Sequence, residues 1–332
     1  MALVRTVLLL VGFTLVAFLF LRLGPGQLVD LMAKLGWAAL IFPPLYAAHH
    51  AIRTVALSAA LERVGSVPFL RLLLVRLTGE AVQYLTFTGP LLAEPTKAWM
   101  LRKEGLESSD AVAATVTEYV AFTGTACVVS LTGLVALRLL VPMPLAMRVP
   151  VSATAIGILA LLVVVVLGLR RRWPFDRWIL AGVRRVGGAA TRALVTPEWA
   201  SEMVAHVFRN LRDDGRRLRR ILGCETVAQA LIVLELYLLL RLFGVQVTAT
   251  TLFIVEGVSK VSNFLFFFVP ARAGTDEATL VLITGTLGLA SVVGLGVSLV
   301  RRARSLMTGA VGLVAVWLLS RRRPTATRRP PR

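Results

Sequence analysis

Long apolar runs constrain this chain more than any other feature. A run of about 20 apolar residues is long enough to cross the hydrocarbon core of a bilayer as a helix. We predict full spans at these positions: 4–22, 37–60, 110–139, 151–169, 221–243 and 290–319. Hydrophobic residues make up 57% of the chain, which is more than soluble domains contain. The sequence therefore predicts an all-α polytopic protein that forms a single integral membrane domain over residues 1–332.

Two further apolar segments, 69–103 and 248–287, do not fit simple crossings because glycine and proline interrupt them. The predicted helix breaks are at these residues: Gly89, Pro90, Pro270 and Gly274. A second break is predicted in the first segment at Glu94-Pro95, because proline disrupts helix interiors. We predict that each segment is a re-entrant helical hairpin, which dips to the middle of the membrane and returns to the side from which it entered.

Arginine gives this topology its orientation. The loop 170–220 contains 13 arginines and five acidic residues, and the tail 321–332 contains six arginines and no acid. Positive charge marks the cytoplasmic side of spans, so we predict cytoplasmic N- and C-termini. The net charge of +19 does not indicate nucleic-acid binding, because no base-stacking aromatic residues alternate with these arginines.

The two halves of the chain, about 37–139 and 221–319, also match each other. An offset of 183 residues relates Glu94 to Glu277 and places Arg301 opposite Glu118. With hairpins that enter from opposite faces, this match predicts an inverted-topology repeat, which is typical of transporters. The substrate site is then expected at the midplane, where the broken segments meet.

Many ionisable residues lie within the apolar stretches, where each costs about 2.5–3.5 kcal/mol to insert. They are the following: Glu80, Glu94, Glu118, Glu256, Lys260, Arg272, Glu277 and Arg301. Together they would cost more than a typical folding stability, so they must form ion pairs or line a wet cavity. From their similar predicted depths, we expect Glu118 and Arg301 to form a buried ion pair that bridges the halves.

The glutamates after the breaks leave two interpretations open. Glu94 and Glu277 either cap their own half-helices, or they hold a polar headgroup or a coupled proton or cation. Lys97 and Arg272 either reach towards the interface or supply charge for a phosphate.

Other sites are weakly indicated. Neighbouring His49 and His50 point about 100° apart on a helix, which is poor geometry for a metal, so we predict cavity lining or a hydrogen bond between helices. Catalytic triads and phosphate-binding loops are absent from the sequence, and we predict no enzyme activity, no metal and no cofactor. In 197–222 apolar residues recur every four positions, which predicts an amphipathic helix on the cytoplasmic interface, serving as a brace or recruiting lipid.

The broken segments carry a family resemblance. The stretch Pro270-Ala271-Arg272-Ala273-Gly274-Thr275-Asp276-Glu277 is similar to the P-G-G-x-G-x-x-E motif of the lysylphosphatidylglycerol synthase transmembrane family, with alanine and arginine at the two middle glycines. A family-like arginine follows at Arg301. The first motif of the family resembles these residues: Gly89, Glu94, Lys97, Leu101, Gly105-Leu106, Ser108-Ser109 and Glu118-Tyr119. Here Ala93, Lys97 and Tyr119 replace a glycine, an arginine and a basic residue of the family.

This resemblance covers about residues 35–320 and implies a flippase-like protein of the cell inner membrane that moves a polar or modified lipid between leaflets. We expect a stand-alone member, without the aminoacyl-transferase domain of two-domain relatives. The implied partners are membrane lipids with anionic or modified headgroups, a lipid-modifying enzyme and a second copy of the chain. The alternative is a non-transporting accessory protein that scaffolds a lipid- or glycan-modifying enzyme.

Overall fold

A computed structural model of the chain describes residues 25–63, 65–86, 89–186 and 195–320. Its helices, in chain order, are α1 (Pro25–Leu35), a 3-10 turn (Gly36–Ile41), α2 (Phe42–Ala60), α3 (Phe69–Leu85), α4 (Pro90–Lys103), α5 (Ser108–Leu140), α6 (Leu145–Arg170), α7 (Phe175–Val186), α8 (Pro197–Phe208), a π turn (Arg209–Asp213), α9 (Gly215–Leu242), α10 (Ala249–Leu265), a 3-10 turn (Pro270–Arg272), α11 (Thr275–Thr286) and α12 (Ser291–Ser320). The described part of the chain is helical and contains no strand, so the predicted all-α class is confirmed.

The predicted spans coincide with long helices. Within the described residues, four segments are long and apolar enough to cross a membrane: Val29–Ala60, Ser108–Leu140, Leu145–Arg170 and Gly215–Leu242. The predicted span 290–319 is one continuous helix, α12, and arginines near its middle lower its hydropathy. The predicted span 4–22 and the tail 321–332 lie outside the described residues.

Both broken segments are pairs of helices joined by a short irregular stretch. In the first, α3 ends at Leu85 and α4 begins at Pro90. The predicted second break at Glu94-Pro95 is wrong, because α4 continues through Pro95 to Lys103. Pro95 lies in the second turn of α4, where its missing N–H costs the helix one hydrogen bond while the turns on both sides continue.

The tips of the two hairpins touch. Gly89 has a φ of +49°, and a Cβ added there would lie 3.3 Å from the carbonyl oxygen of Phe267, which precedes the break in the second segment. Glycine fits this position because it tolerates a positive φ and lets another backbone approach closely.

Helix packing follows one scheme in both halves. Helix α2 packs against α9, α3 against α12, and α10 against α5. The four helices α2 to α5 correspond in order to the four helices α9 to α12. If each helix is replaced by its counterpart, the same three helix pairs are obtained. Each half also has its own apolar core, around Leu57, Leu72 and Leu101 in the first and around Leu236 and Leu240 in the second.

Two glycines let the halves cross closely. A Cβ on Gly133 of α5 would lie 2.1 Å from the carbonyl oxygen of Phe253 in α10, and one on Gly312 of α12 would lie 2.1 Å from that of Leu77 in α3. These contacts make Gly133 and Gly312 equivalent positions in the two halves. The predicted offset of 183 residues would instead pair Gly133 with a residue about one helical turn after Gly312. Loops of unequal length between helices shift the register in this way without changing the packing.

The predicted amphipathic helix is shorter than expected and its apolar face lies elsewhere. Helix α8 ends at Phe208, and residues 215–222 belong to the long helix α9. Met203, Val204 and Phe208 are buried against Ala113 of α5, so the face predicted to lie on the membrane interface covers protein instead. Packing of this apolar face on α5 is what the brace interpretation requires.

Candidate functional site

A polar cavity of about 160 Å³ lies between the two halves. Side chains of α2, α3, α4 and α5 line one part of it, and side chains of α9, α10, α11 and α12 line the other. The first turns of α4 and α11, which directly follow the helix breaks, also reach the cavity. The site therefore lies where the two broken segments meet.

Charged side chains dominate the cavity wall. The cations among the lining residues are Arg53, Arg76, Lys97, Lys260, Arg272, Arg301, Arg302 and Arg304. The acids are Glu80, Glu94, Glu256 and Asp276. Four more glutamates lie buried behind the wall and pair with lining cations: Glu118, Glu225, Glu235 and Glu277. Among the described residues, the surface of the cavity thus presents four more cations than acids, and the four glutamates behind it balance this excess.

Glu118 is the centre of the first-half network. It is fully buried, and its carboxylate lies 2.5 Å from Arg53, 3.0 Å from Arg76 and 3.0 Å from Lys97. Lys97 also contacts Glu94, at 2.8 Å. Burying charges costs less when each is paired and hydrogen-bonded, which explains how α2, α3, α4 and α5 hold so many at one point.

The second-half network consists of two smaller groups of ion pairs. Glu256 of α10 lies 2.7 Å from Arg301 of α12 and 2.9 Å from Lys260 one turn further along its own helix. Glu235 of α9 lies 2.5 Å from Arg304. The guanidinium of Arg304 also lies 3.9 Å from the ring centroid of Tyr46, a cation–π contact that joins α12 to α2.

The predicted ion pair between Glu118 and Arg301 is wrong. Glu118 pairs with Arg53, Arg76 and Lys97 of the first half, and Arg301 pairs with Glu256 of the second. Depth arguments place two residues at one height in the membrane, but they do not determine which side chains are neighbours around the helix axes.

The structure separates the roles of the two motif glutamates. The carboxylate of Glu277 accepts a hydrogen bond from the backbone N–H of Gly274, at 2.9 Å, and one from Nε of Arg302, at 2.6 Å. Glu277 is fully buried and is not among the residues that line the cavity. It therefore caps α11, whereas Glu94 makes no such cap and faces the cavity.

Arg272 lies at the second break and faces the cavity. Its Nε lies 3.2 Å from Asp276, one turn into α11. Ala271 and Arg272 both have positive φ values, 51° and 50°. Glycine adopts this backbone region without strain, which explains the two glycines of the family motif at these places.

Several site residues were missed by the sequence analysis: Arg76, Glu225, Glu235, Arg302 and Arg304. A signal was available in α9, because Glu225, Gln229 and Glu235 lie within about a third of the helix circumference. A polar face along an apolar helix indicates a side turned towards protein or cavity and away from lipid.

His49 has the predicted role and His50 does not. Nδ1 of His49 lies 3.0 Å from the carbonyl oxygen of Ala228 in α9, a hydrogen bond between helices. Both ring nitrogens of His50 are buried, and neither has a hydrogen-bond partner among the described residues.

Outside the cavity, Glu62, Asp110 and His206 bring potential metal ligands within 4.8 Å of one another. Glu62 already accepts a hydrogen bond from Arg209, at 2.8 Å, and this bond lowers the pKa of its carboxyl group. Asp110 accepts one from the backbone of Glu62. These bonds fasten the loop after α2 to α5 and the π turn.

A sequence model described as the lysylphosphatidylglycerol synthase TM region matches residues 5–312. No curated protein matches the chain, and no solved structure does. The family match covers nearly the whole chain and agrees with its long apolar helices, which indicate a multi-pass membrane protein with a lipid-related role. The chain therefore belongs to the lysylphosphatidylglycerol synthase TM-region family.

Proposed function

We propose that this protein is a lipid translocase, which moves a lipid with a polar or modified headgroup between the leaflets of the inner membrane. The observation that carries the proposal is the charged cavity between two halves whose broken helices meet there. Such a cavity gives a headgroup a polar place within the membrane, while acyl chains can remain in the surrounding lipid. Without it, a headgroup would have to enter hydrocarbon alone.

We further propose that the two halves form an inverted-topology repeat. Support comes from the exchange of helix contacts between the halves and from the matching glycine crossings at Gly133 and Gly312. Transporters with this architecture bind substrate near the midplane between discontinuous helices and alternate access by rocking one unit against the other.

The cavity charge favours a headgroup that contains phosphate. Arginine and lysine are the side chains that bind phosphate oxygens most strongly, and cations outnumber acids on this wall by eight to four. Lys260 and Arg272 are suitable contacts because both are partly exposed to the cavity and each already has one carboxylate partner.

The alternative of a scaffold for another enzyme has less support. It relied on the amphipathic helix, but the apolar side chains of α8 are buried on α5. We also propose that the protein is not an enzyme, since the charges of the cavity are almost all engaged with one another in ion pairs.

The proposal can be tested with purified protein in vesicles. Lipids labelled on an acyl chain are incorporated in both leaflets, and a membrane-impermeant quencher then reports the fraction that reaches the outer leaflet. We expect faster exchange than in protein-free vesicles for at least one phosphate-containing headgroup. Equal rates with and without protein, across phosphatidylglycerol, phosphatidylethanolamine, lysyl-phosphatidylglycerol and a glycolipid, would contradict the proposal.

A further inference from the structure

Three side chains of the kinds that bind metal ions meet outside the cavity, beside the first hairpin. Glu62 lies in the loop between α2 and α3, Asp110 in the first turn of α5, and His206 in the last turn of α8. One donor atom of each side chain lies within 4.8 Å of the other two. Such a set has no sequence signature, because Glu62 and Asp110 are 48 residues apart in the chain. Only the fold brings the three together.

Each carboxylate of this cluster is held through one oxygen and has a second oxygen left over. Oε1 of Glu62 accepts a hydrogen bond from Arg209, at 2.8 Å, and Oδ1 of Asp110 accepts one from the backbone N–H of Glu62, at 3.0 Å. Among the described residues, Oε2 of Glu62 and Oδ2 of Asp110 accept no hydrogen bond. Hydrogen bonds to one oxygen orient carboxylates that bind a metal with the other. The two remaining oxygens are therefore positioned for a ligand.

His206 is the side chain that points to a ligand. It is 8% exposed, and its Nδ1 is buried with no hydrogen-bond partner among the described residues. Its Nε2 faces Oε2 of Glu62 at 3.9 Å, which is too long for a hydrogen bond. Buried polar groups are normally paired, because an unpaired one costs free energy. A metal ion between the ring and the two free oxygens would bind the lone pair of Nε2.

The donor set suits a transition-metal ion of the zinc type. Zn²⁺ binds imidazole nitrogen and carboxylate oxygen, and open zinc sites have three protein ligands with water in the fourth position. Ca²⁺ and Mg²⁺ prefer oxygen ligands throughout, and Ca²⁺ takes about six to eight of them. The imidazole of His206 therefore favours zinc over both of these ions.

The distances require only small side-chain movements. Bonds of about 2.0–2.2 Å to a tetrahedral ion place two ligand atoms about 3.4 Å apart, and Nε2 of His206 and Oε2 of Glu62 are 3.9 Å apart. The side chain of Glu62 is 46% exposed, so it has room to move. Neighbouring arginines have other partners, because Arg209 binds Oε1 of Glu62 and Arg217 donates to Asn210, at 2.7 Å.

We propose that Glu62, Asp110 and His206 bind a divalent transition-metal ion of the zinc type, through Oε2, Oδ2 and Nε2. Glu62 precedes α3 and Asp110 follows α4, so the ion joins both ends of the first hairpin to each other and to α8. The site is separate from the charged cavity, and the inference does not depend on lipid translocation.

The test uses the purified full chain in a neutral detergent, with its purification tag removed and after dialysis against EDTA. Isothermal titration calorimetry with zinc chloride should show one ion per chain. We expect His206→Gln and Asp110→Asn each to weaken zinc binding about tenfold or more. The matched control is Asp176→Asn, which also changes an aspartate in the first turn of a helix and should bind zinc as the unmodified chain does.

Asp110→Asn keeps Oδ1 as an acceptor for the backbone N–H of Glu62, so it tests the site if His206→Gln folds poorly. X-ray absorption at the zinc edge needs no variant, and it should show imidazole scattering from the bound ion. Glu62→Gln is left out of the comparison because it also removes the pair with Arg209. The contribution of that pair to stability is measured in EDTA-treated protein.

The unmodified chain should also unfold at a higher temperature with zinc than with EDTA, because an ion that binds the folded state stabilises it. His206→Gln should lose this difference. The inference is overturned if the unmodified chain does not bind zinc, if it binds magnesium equally well, or if bound zinc shows no imidazole ligand. Zinc affinity unchanged in both His206→Gln and Asp110→Asn would overturn it as well.

Discussion

Replacing Glu118 by glutamine tests whether the buried network holds the first half together. Arg76 is 3% exposed, and Glu118 is the carboxylate that pairs with it, at 3.0 Å. In Glu118→Gln, Arg53 keeps Glu225 at 3.2 Å and Lys97 keeps Glu94 at 2.8 Å. Among the described residues, Arg76 then keeps one hydrogen bond, to the backbone carbonyl of Arg53.

The expected loss of stability follows from the partners that these three cations keep. Removing one partner of a buried ion pair costs about 3–5 kcal/mol, because a charge is left buried without compensation. The matched control is Glu62→Gln, which removes the pair with Arg209, where both side chains are nearly half exposed. An exposed pair contributes about 1 kcal/mol or less.

Equilibrium unfolding in mixed micelles, followed by tryptophan fluorescence, measures both losses. The double variant Glu118→Gln with Arg76→Gln removes both charges, so it should be more stable than Glu118→Gln alone. The reasoning is refuted if Glu118→Gln destabilises the protein no more than Glu62→Gln, or if the second substitution adds to the loss.

Three further predictions follow from the backbone, from pH and from topology. Ala271→Gly should stabilise the protein by about 0.5–1 kcal/mol in the same unfolding assay, because it relieves a left-handed backbone conformation at an alanine; an unchanged or lower stability would contradict this. The pKa of Glu62 is lowered from 4.5, so its ion pair with Arg209 contributes fully to folding stability above pH 4.5, and this contribution is lost as the pH falls through the lower pKa of the folded state. The free energy of unfolding of Glu62→Gln, measured against pH, should lack this loss on the acid side. The topology is tested with single cysteines introduced into a chain without its native cysteines. Cysteines at Ser66 and Glu107 should react with an impermeant thiol reagent from the same side of oriented vesicles, and a cysteine at Ala290 should react from the other side. Reaction of the Ser66 and Glu107 cysteines from opposite sides would rule out the first re-entrant hairpin.

Local sequence signals predicted the helices well. The apolar runs gave the long helices, and Gly89 and Gly274 marked the breaks because these positions need a positive φ. Such properties depend on residues near one another in the chain. Pro95 was misleading because the effect of a proline depends on whether the adjacent turns are supported by packing.

The partners of the buried charges could not be predicted in the same way. The match of Glu118 with Arg301 used depth alone, and lateral position depends on how α3 and α10 insert between the long helices. Glu235 and Arg304 come from helices far apart in sequence, so only the packed fold brings them together. The apolar face of α8 gave a correct helix but no information on whether lipid or protein covers it.

Leaflet exchange by Lys260→Gln is the most direct measurement of the central claim, that a headgroup crosses through the charged cavity. Lys260 lines the cavity, and its partner Glu256 keeps Arg301 after the substitution, so the fold should be retained. Lys34→Gln, at an exposed position of α1, is the matched control. The account predicts that Lys260→Gln slows protein-dependent exchange of a phosphate-containing lipid at least several-fold, while Lys34→Gln exchanges it at the unmodified rate. Equal rates in the two variants, with both correctly folded, would contradict it.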